Sequence, residues 1–393
     1  MIHHALMLNL HQPAGNLEHL LEEQRWEAEQ VLCAIDRIPR TLWQNEGLGK
    51  VHLSLSGTLL ETLSNPDFQG RVYGTVDCGA LLWYLQNETT IRILGTGYYH
   101  PVLALIPPAD WEEQLKRWLG IAHHLFWRQQ FQGFWPPEMG FTKELIPLLK
   151  ALGYRYVMVD SDHVEPVTAM QWHELRYRPH IARHDGEEIV VVVRDRSLSD
   201  AQESGMEFSW FLHEVNQRTQ HCAFEPLVLT ATDGDNGGWF RNTDKGGSFW
   251  GEFWPEYMQH AASESAQIRP CFIDEYLDRY GAWGEVEVAE GAWNTGWHNG
   301  HGFTQWTGST SQQLALERIH EASKAIHDAR WAAGEAQRNN PREWALLEQA
   351  MWHLLRAETS CNLYWGEAWV PRCHADLDEA WAALNQLTPN ECT

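Results

Sequence analysis

The sequence predicts an α/β fold organised on a parallel sheet, and two patterns carry that expectation. Seven short apolar runs recur within the first 231 residues, at 5–10, 51–55, 91–94, 133–135, 154–159, 189–193 and 226–231. One of them, Ile189-Val190-Val191-Val192-Val193, is apolar without alternation, as a strand covered on both faces should be. Most of the intervening segments are long and partly helical in pattern. A β, α, β, α rhythm of this kind implies a parallel barrel or a doubly wound sheet.

The helical segments follow in order. Between the third and fourth runs, Asp110 is placed to cap a helix, with Glu113 completing a capping box and Leu115, Trp118, Leu119, Ala122 and Phe126 forming one apolar stripe. Between the fourth and fifth, a shorter helix closes at Gly153. From about 234 to 308 the composition turns to Gly, Trp and Asn. Irregular segments of that length are more often functional covers than spacers, so a lid is expected there. After Ser309, spacing of 3.6 residues over 312–334, 341–357 and 376–387 predicts a C-terminal helical bundle. The expected organisation is a catalytic unit over 1–308, with the lid inserted at about 234–308, and a helical unit over 309–393.

Composition bounds the partners. With 29 basic and 53 acidic side chains the net charge is −24, which repels a nucleic-acid backbone or an anionic membrane surface. The seven cysteines are odd in number and show no Cys-x-x-Cys pairing, so reduced thiols, and with them a cytoplasmic location, are expected. Neither a signal-peptide pattern nor a membrane-length apolar run is visible, and a soluble, unprocessed protein is the expectation. Tryptophan is the outlier, at 22 residues. Flat apolar rings suit the C–H faces of pyranose sugars. Trp239, Trp250, Trp254, Trp293, Trp297 and Trp306 sit among Gly, Asn, Thr and His, unlike core segments; of these, Trp239 and Trp297 are taken as candidate sugar contacts, with His298 as a pocket donor.

Polar residues directly follow each apolar run: His11-Gln12-Pro13, Gly57 with Glu61, His100, Glu138, Asp160 to His163, Arg194-Asp195, and Asp233-Gly234-Asp235. In a parallel barrel these converge at the carboxyl-end mouth, where such folds place their chemistry. Glu61, Asp160 and Arg194 are candidate substrate contacts on this ground. Cleaving a glycosidic bond takes two carboxylates, one ionised to attack the anomeric carbon and one protonated to release the leaving oxygen. Glu138 fits the nucleophile, held by Pro136-Pro137 with Trp135 as a sugar platform, and Asp233 fits the acid/base.

At these residues the chain resembles glycoside hydrolase family 57. His11-Gln12-Pro13 is similar to the family's first motif, Ser56-Gly57-Thr58-Leu59-Leu60-Glu61 to its strand-two stretch, and Gly97-Tyr98-Tyr99-His100-Pro101 to its second motif. Trp135-Pro136-Pro137-Glu138 resembles the motif that supplies the nucleophile, Arg194 to Asp200 another recurrent segment, and Asp233-Gly234-Asp235 the motif that supplies the acid/base. Asp235 stands where the family commonly has Glu, and the last motif, around Glu358 to Trp365, is poorly matched. The resemblance implies an incomplete parallel (β/α)7 barrel with a C-terminal helical bundle. It also implies a retaining enzyme that hydrolyses or transfers α-glucan segments, as an amylase, glucanotransferase or branching enzyme does, with His11 and His100 lining the pocket, Asp235 at a subsite, and no cofactor or metal.

Two other readings stand beside it. A metal-dependent hydrolase could draw on the 21 histidines, although His3-His4 and His123-His124 are adjacent pairs that point apart. A catalytically silent carbohydrate-binding protein could keep the fold without turnover.

Overall fold

The computed structural model describes residues 1–45, 47–127, 130–242, 246–293, 302–337 and 340–387. Seven parallel strands make the barrel: β1 (Ile2–Leu10), β2 (Val51–Leu55), β3 (Ile91–Leu94), β4 (Gly133–Phe134), β5 (Tyr156–Asp160), β6 (Glu187–Arg194) and β7 (Leu227–Asp233). Each coincides with one of the apolar runs, within three residues at either end. Their order around the barrel is β3-β2-β1-β7-β6-β5-β4. Interior residues such as Met7, Leu94, Tyr156, Met158, Val192 and Leu229 pack into one buried cluster, so the barrel is filled rather than hollow.

Two seams are thin. β3 meets β4 through a single bridge, in which the Gly95 amide donates to the Gly133 carbonyl at 2.9 Å and the Trp135 amide donates to the Gly95 carbonyl at 2.8 Å. A methyl group at Gly95 would stand 2.1 Å from the Tyr154 hydroxyl, so glycine leaves room for that ring beside the seam. β6 and β7 are in register at one pair, Arg194 with Leu229. Side chains take over where that ladder ends: Arg194 Nε donates to the Ala231 carbonyl at 2.9 Å, and the Ala231 amide donates to Ser199 Oγ at 3.1 Å.

Short strands that periodicity did not reveal flank the barrel. Ile268–Pro270 runs parallel to the start of β1, His180–His184 antiparallel to β6, and Val164–Pro166 pairs with Val286–Val288. The helix between β3 and β4, Pro108–Leu125, starts at a proline, and no side chain caps it. Asp110 is therefore not its cap. It lies in the first turn, fully buried, accepting from His327 Nε2 at 2.7 Å. The shorter helix, Ile146–Ala151, ends as expected near Gly153, which adopts φ +88°.

Much of 234–308 is packed structure. Phe240, Phe249, Phe253 and Trp254 are buried together against the helix Arg25–Gln44, and Trp250 and Trp306 are buried as well. Apolar bulk, not sugar stacking, accounts for these tryptophans. The C-terminal region forms the long helices Thr310–Gln337, Pro341–Ala357 and Val370–Asn385. Ile319, Ile326, Met351, Leu354 and Leu377 bury a shared seam between them.

Candidate active site

Glu138 and Asp233 line the same cavity of about 140 Å³ at the carboxyl end of the strands. Asn9, His11, His100, Asp235, Asn236, Trp293, Cys361, Tyr364 and Trp365 complete its wall. Glu138 adopts a left-handed conformation, φ +57°. So does His100, also at φ +57°, and these two account for half of the four positive-φ residues other than glycine among the described residues. Such conformations persist where surrounding contacts over-determine them, and they gather at functional sites. Here the Met139 amide donates to the Pro136 carbonyl at 2.7 Å and the Trp293 amide to the Glu138 carbonyl at 3.0 Å, while two consecutive prolines stiffen the approach.

Both Glu138 oxygens are engaged. Ser360 Oγ donates to Oε1 at 2.8 Å, Trp293 Nε1 donates to Oε2 at 2.8 Å, and His100 Nδ1 lies 3.6 Å from Oε1. Burial raises the Glu138 pKa, and these two hydrogen bonds oppose the rise by favouring the charged form. Asp233 accepts from Asn9 Nδ2 at 3.0 Å. Burial first, then the facing charges of Asp235 and Glu138, push its carboxyl well above the usual aspartate range, against a smaller pull from Asn9. Asp235 accepts from Gln12 Nε2 at 3.0 Å, and burial raises its pKa to about 6.

The two histidines are stacked, ring centroids 4.0 Å apart and planes 9° from parallel. Burial lowers both, His100 to about 3 and His11 well below its ordinary value, so the pair is neutral. Neutral imidazoles can hydrogen-bond sugar hydroxyls without setting a cation beside the carboxylates. Both ring nitrogens of His11 are buried and have no hydrogen-bond partner among the described residues, and His11 lies on the cavity wall.

The remaining sequence candidates are placed differently. Trp135 is completely buried among barrel-interior residues and meets Trp293 edge to face at 5.3 Å, so Trp293 presents its ring to the cavity and Trp135 supports it from behind. Asp160 and Arg194 are buried ion-pair partners at 2.9 Å, with Arg196 on the other Asp160 oxygen at 2.8 Å. That network joins β5, β6 and the Trp293 segment, since Arg196 also donates to the Trp293 and Ala292 carbonyls. Glu61 is exposed on the helix Gly57–Ser64, accepting from the Tyr98 hydroxyl at 3.1 Å. Trp239 is half-buried against the helices around the barrel. Trp297 and His298 lie outside the described residues.

Sequence reasoning missed Asn9, Trp293, Ser360, Tyr364 and Trp365 as site residues. Asn9 carried a signal, a lone amide inside the apolar run Leu8-Asn9-Leu10. Ser360 fell within the stretch around Glu358 to Trp365 read as a poorly matched last motif, and its contact with Glu138 spans 222 positions of sequence. Among the described residues no group of three His, Cys, Asp or Glu side chains is arranged to hold a metal ion.

A barrel mouth with two carboxylates on one cavity wall is the arrangement that glycosidic chemistry requires. Residues 12–289 match the family described as Glycosyl hydrolase family 57, and the chain belongs to that family. It is 28% identical over 191 residues to an alpha-amylase of Pyrococcus horikoshii, covering 48% of this chain and 27% of that protein. To a 4-alpha-glucanotransferase of Thermococcus litoralis it is 29% identical over 191 residues, covering 48% and 26%. The matched segment thus spans about a quarter of the length of these curated relatives. The fold resembles the crystal structure of the Thermococcus litoralis 4-alpha-glucanotransferase, with TM-score 0.67 and 20% identity over 99% of this chain and 60% of that one. It also resembles a GH57 branching enzyme of Thermococcus kodakaraensis, with TM-score 0.72 and 13% identity over 98% and 90%.

Proposed function

We propose that the protein is a retaining glycoside hydrolase or transglycosylase that acts on α-glucans, with Glu138 as nucleophile and Asp233 as acid/base. The observation that carries this reading is the shared cavity, in which Glu138 keeps two hydrogen bonds favouring its anion while Asp233 has two carboxyls facing it and one amide. In the first step Glu138 attacks the anomeric carbon, and Asp233 gives its proton to the departing oxygen. Esterification then removes the Glu138 charge, one of the causes that raise Asp233. The Asp233 pKa thereby falls, which favours the ionised carboxylate needed for the second step, when it takes a proton from water or from an acceptor sugar hydroxyl. His11, His100 and Asp235 hold the sugar hydroxyls, and Trp293, Tyr364 and Trp365 provide its apolar wall.

The names of the relatives, alpha-amylase and 4-alpha-glucanotransferase, support the α-glucan substrate class. The six described cysteines are all free, which suits a reducing, cytoplasmic setting, and no described helix is long and apolar enough to cross a membrane. Incubation with maltoheptaose and amylose, followed by chromatography, tests the function. Shorter chains alone indicate hydrolysis, and longer and shorter chains together indicate transfer. Binding with unchanged chains would overturn the enzymatic reading in favour of a carbohydrate-binding protein.

A further inference from the structure

Behind the cavity wall lies a buried polar cluster that the proposed chemistry leaves unused. Asp110, Gln114 and Glu358 are each at most 1% exposed, and they come from the barrel helix Pro108–Leu125 and the end of the helix Pro341–Ala357. Gln114 reaches in two directions. Its Nε2 donates to Glu358 Oε2 at 2.8 Å, and its Oε1 accepts from the Tyr99 amide at 3.1 Å. Glu358 stands two residues before Ser360, and Tyr99 one residue before His100, and the Ser360 and His100 side chains both approach Glu138 Oε1. The Ser360 amide donates to the His100 carbonyl at 3.0 Å, and His100 Nδ1 lies 3.2 Å from Ser360 Oγ, so the two segments are tied to each other as well.

The remaining oxygens of the cluster complete the picture. Asp110 Oδ1 accepts from His327 Nε2 at 2.7 Å on a third helix, Thr310–Gln337. Asp110 Oδ2 and Glu358 Oε1 are buried and, among the described residues, have no N–H or O–H partner, yet the two carboxyls are within hydrogen-bonding reach of each other. Two buried acceptors facing one another are satisfied by a proton between them. Burial, and next the neighbouring Asp110, raise Glu358 well above the ordinary range, which places that proton on Glu358.

We infer that Gln114 and Glu358 are positioning residues for the nucleophile, a cross-brace that sets Ser360 and His100 against Glu138 without touching substrate. This rests on the reading of Glu138 as nucleophile. A brace of this kind acts on the reacting geometry, so its loss lowers kcat and leaves KM nearly unchanged. Protonated Glu358 acts only as a hydrogen-bond donor toward Asp110 and acceptor from Gln114, and a glutamine can do both.

The test uses Gln114→Leu, Glu358→Leu and Glu358→Gln in the full chain, with maltoheptaose turnover and crystal structures of each. Both leucine variants are expected to lose kcat by about 10- to 100-fold with KM within about twofold, as misplacement of a reacting group by a fraction of an ångström does. Their structures should show Ser360 or His100 drawn away from Glu138. Glu358→Gln should keep kcat within about twofold, its amide donating to Asp110. A folded Gln114→Leu protein with normal kcat and an unmoved Ser360–Glu138 contact overturns the inference. So does an inactive Glu358→Gln protein, which decides the matter even if the leucine variants fail to fold. The crystallographic arm stands whether or not maltoheptaose is turned over, so failure of the glucan reading is seen separately in the unsubstituted protein.

Discussion

Trp293 holds Glu138 at both ends: its backbone amide donates to the Glu138 carbonyl at 3.0 Å, and its indole Nε1 donates to Oε2 at 2.8 Å. The first bond fixes a left-handed backbone, and the second favours the anion proposed to attack. Replacing Trp293 with Phe keeps a ring and the backbone bond but removes the indole donor. We expect kcat/KM to fall by about 10- to 100-fold, since a hydrogen bond to a charged group contributes about 1.5–3 kcal/mol. Losing a bond that lowers the Glu138 pKa also moves the acidic limb of the pH–rate profile upward. A profile with an unmoved acidic limb would contradict this role.

The paired carboxylates are tested most directly by Glu138→Gln and Asp233→Asn. Each should remove nearly all turnover of maltoheptaose while circular dichroism and thermal unfolding show an intact fold. Near-normal turnover in either would sink the assignment.

Asp235 makes a prediction of opposite sign for stability and activity. Burial raises its folded pKa to about 6, above the ordinary aspartate value of 3.8, so the folded state binds the proton more tightly. That contribution is fully present below about pH 4 and is lost as pH rises through about 6. At pH 7 Asp235→Asn is therefore expected to stabilise the fold by on the order of 1–3 kcal/mol, a gain absent near pH 4. Because Asp235 also raises Asp233, the same substitution should move the alkaline limb of activity to lower pH. Thermal melts and rate profiles across pH 4–9 check both, and a variant less stable at pH 7 would refute the electrostatic account.

Trp365 and Trp135 separate substrate contact from support. Trp365 is exposed and on the cavity wall, whereas Trp135 is fully buried. Trp365→Ala should raise KM for maltoheptaose by about tenfold, the order of one lost aromatic contact, with an unchanged melting temperature. Trp135→Ala should cost about 3–5 kcal/mol of stability through the cavity it leaves. The reverse pattern in kinetics and denaturant unfolding would exchange their roles.

Gly95 predicts the cost of a single methyl. With the Tyr154 hydroxyl 2.1 Å from where a Cβ would sit, Gly95→Ala must push the ring or part the β3–β4 seam. A loss of about 1–3 kcal/mol in urea unfolding is expected, and an unaltered midpoint would show that the seam yields freely.

How much of this was legible in the sequence follows from the range over which each feature is determined. Parallel strands buried on both faces demand unbroken apolar runs, so Val190 to Val193 announced a strand locally. Glu138 and Asp233 were legible because strand ends in such a fold point to the mouth. The same rule also drew in Asp160 and Arg194, since a polar residue at a strand end serves equally as a ligand or as half of an internal ion pair, and only neighbours from other strands decide. Trp135 and Trp293 are alike in chemistry. Which one faces the cavity depends on the edge-to-face contact between them, which lies between residues 158 positions apart. Asp110 read as a cap until His327 and Glu358, from distant helices, gave it other partners.

The carboxylate proposed to attack is finished by residues made long after it. Its indole partner follows 155 positions later and its hydroxyl partner 222 positions later. During synthesis from the N-terminus the seven strands are complete by residue 233, but Glu138 stays without its full set of donors until the chain passes Ser360. On the proposed assignment turnover would begin only late in translation, and ribosome-bound chains halted at residue 308 should be silent toward the maltoheptaose that the finished chain is expected to process.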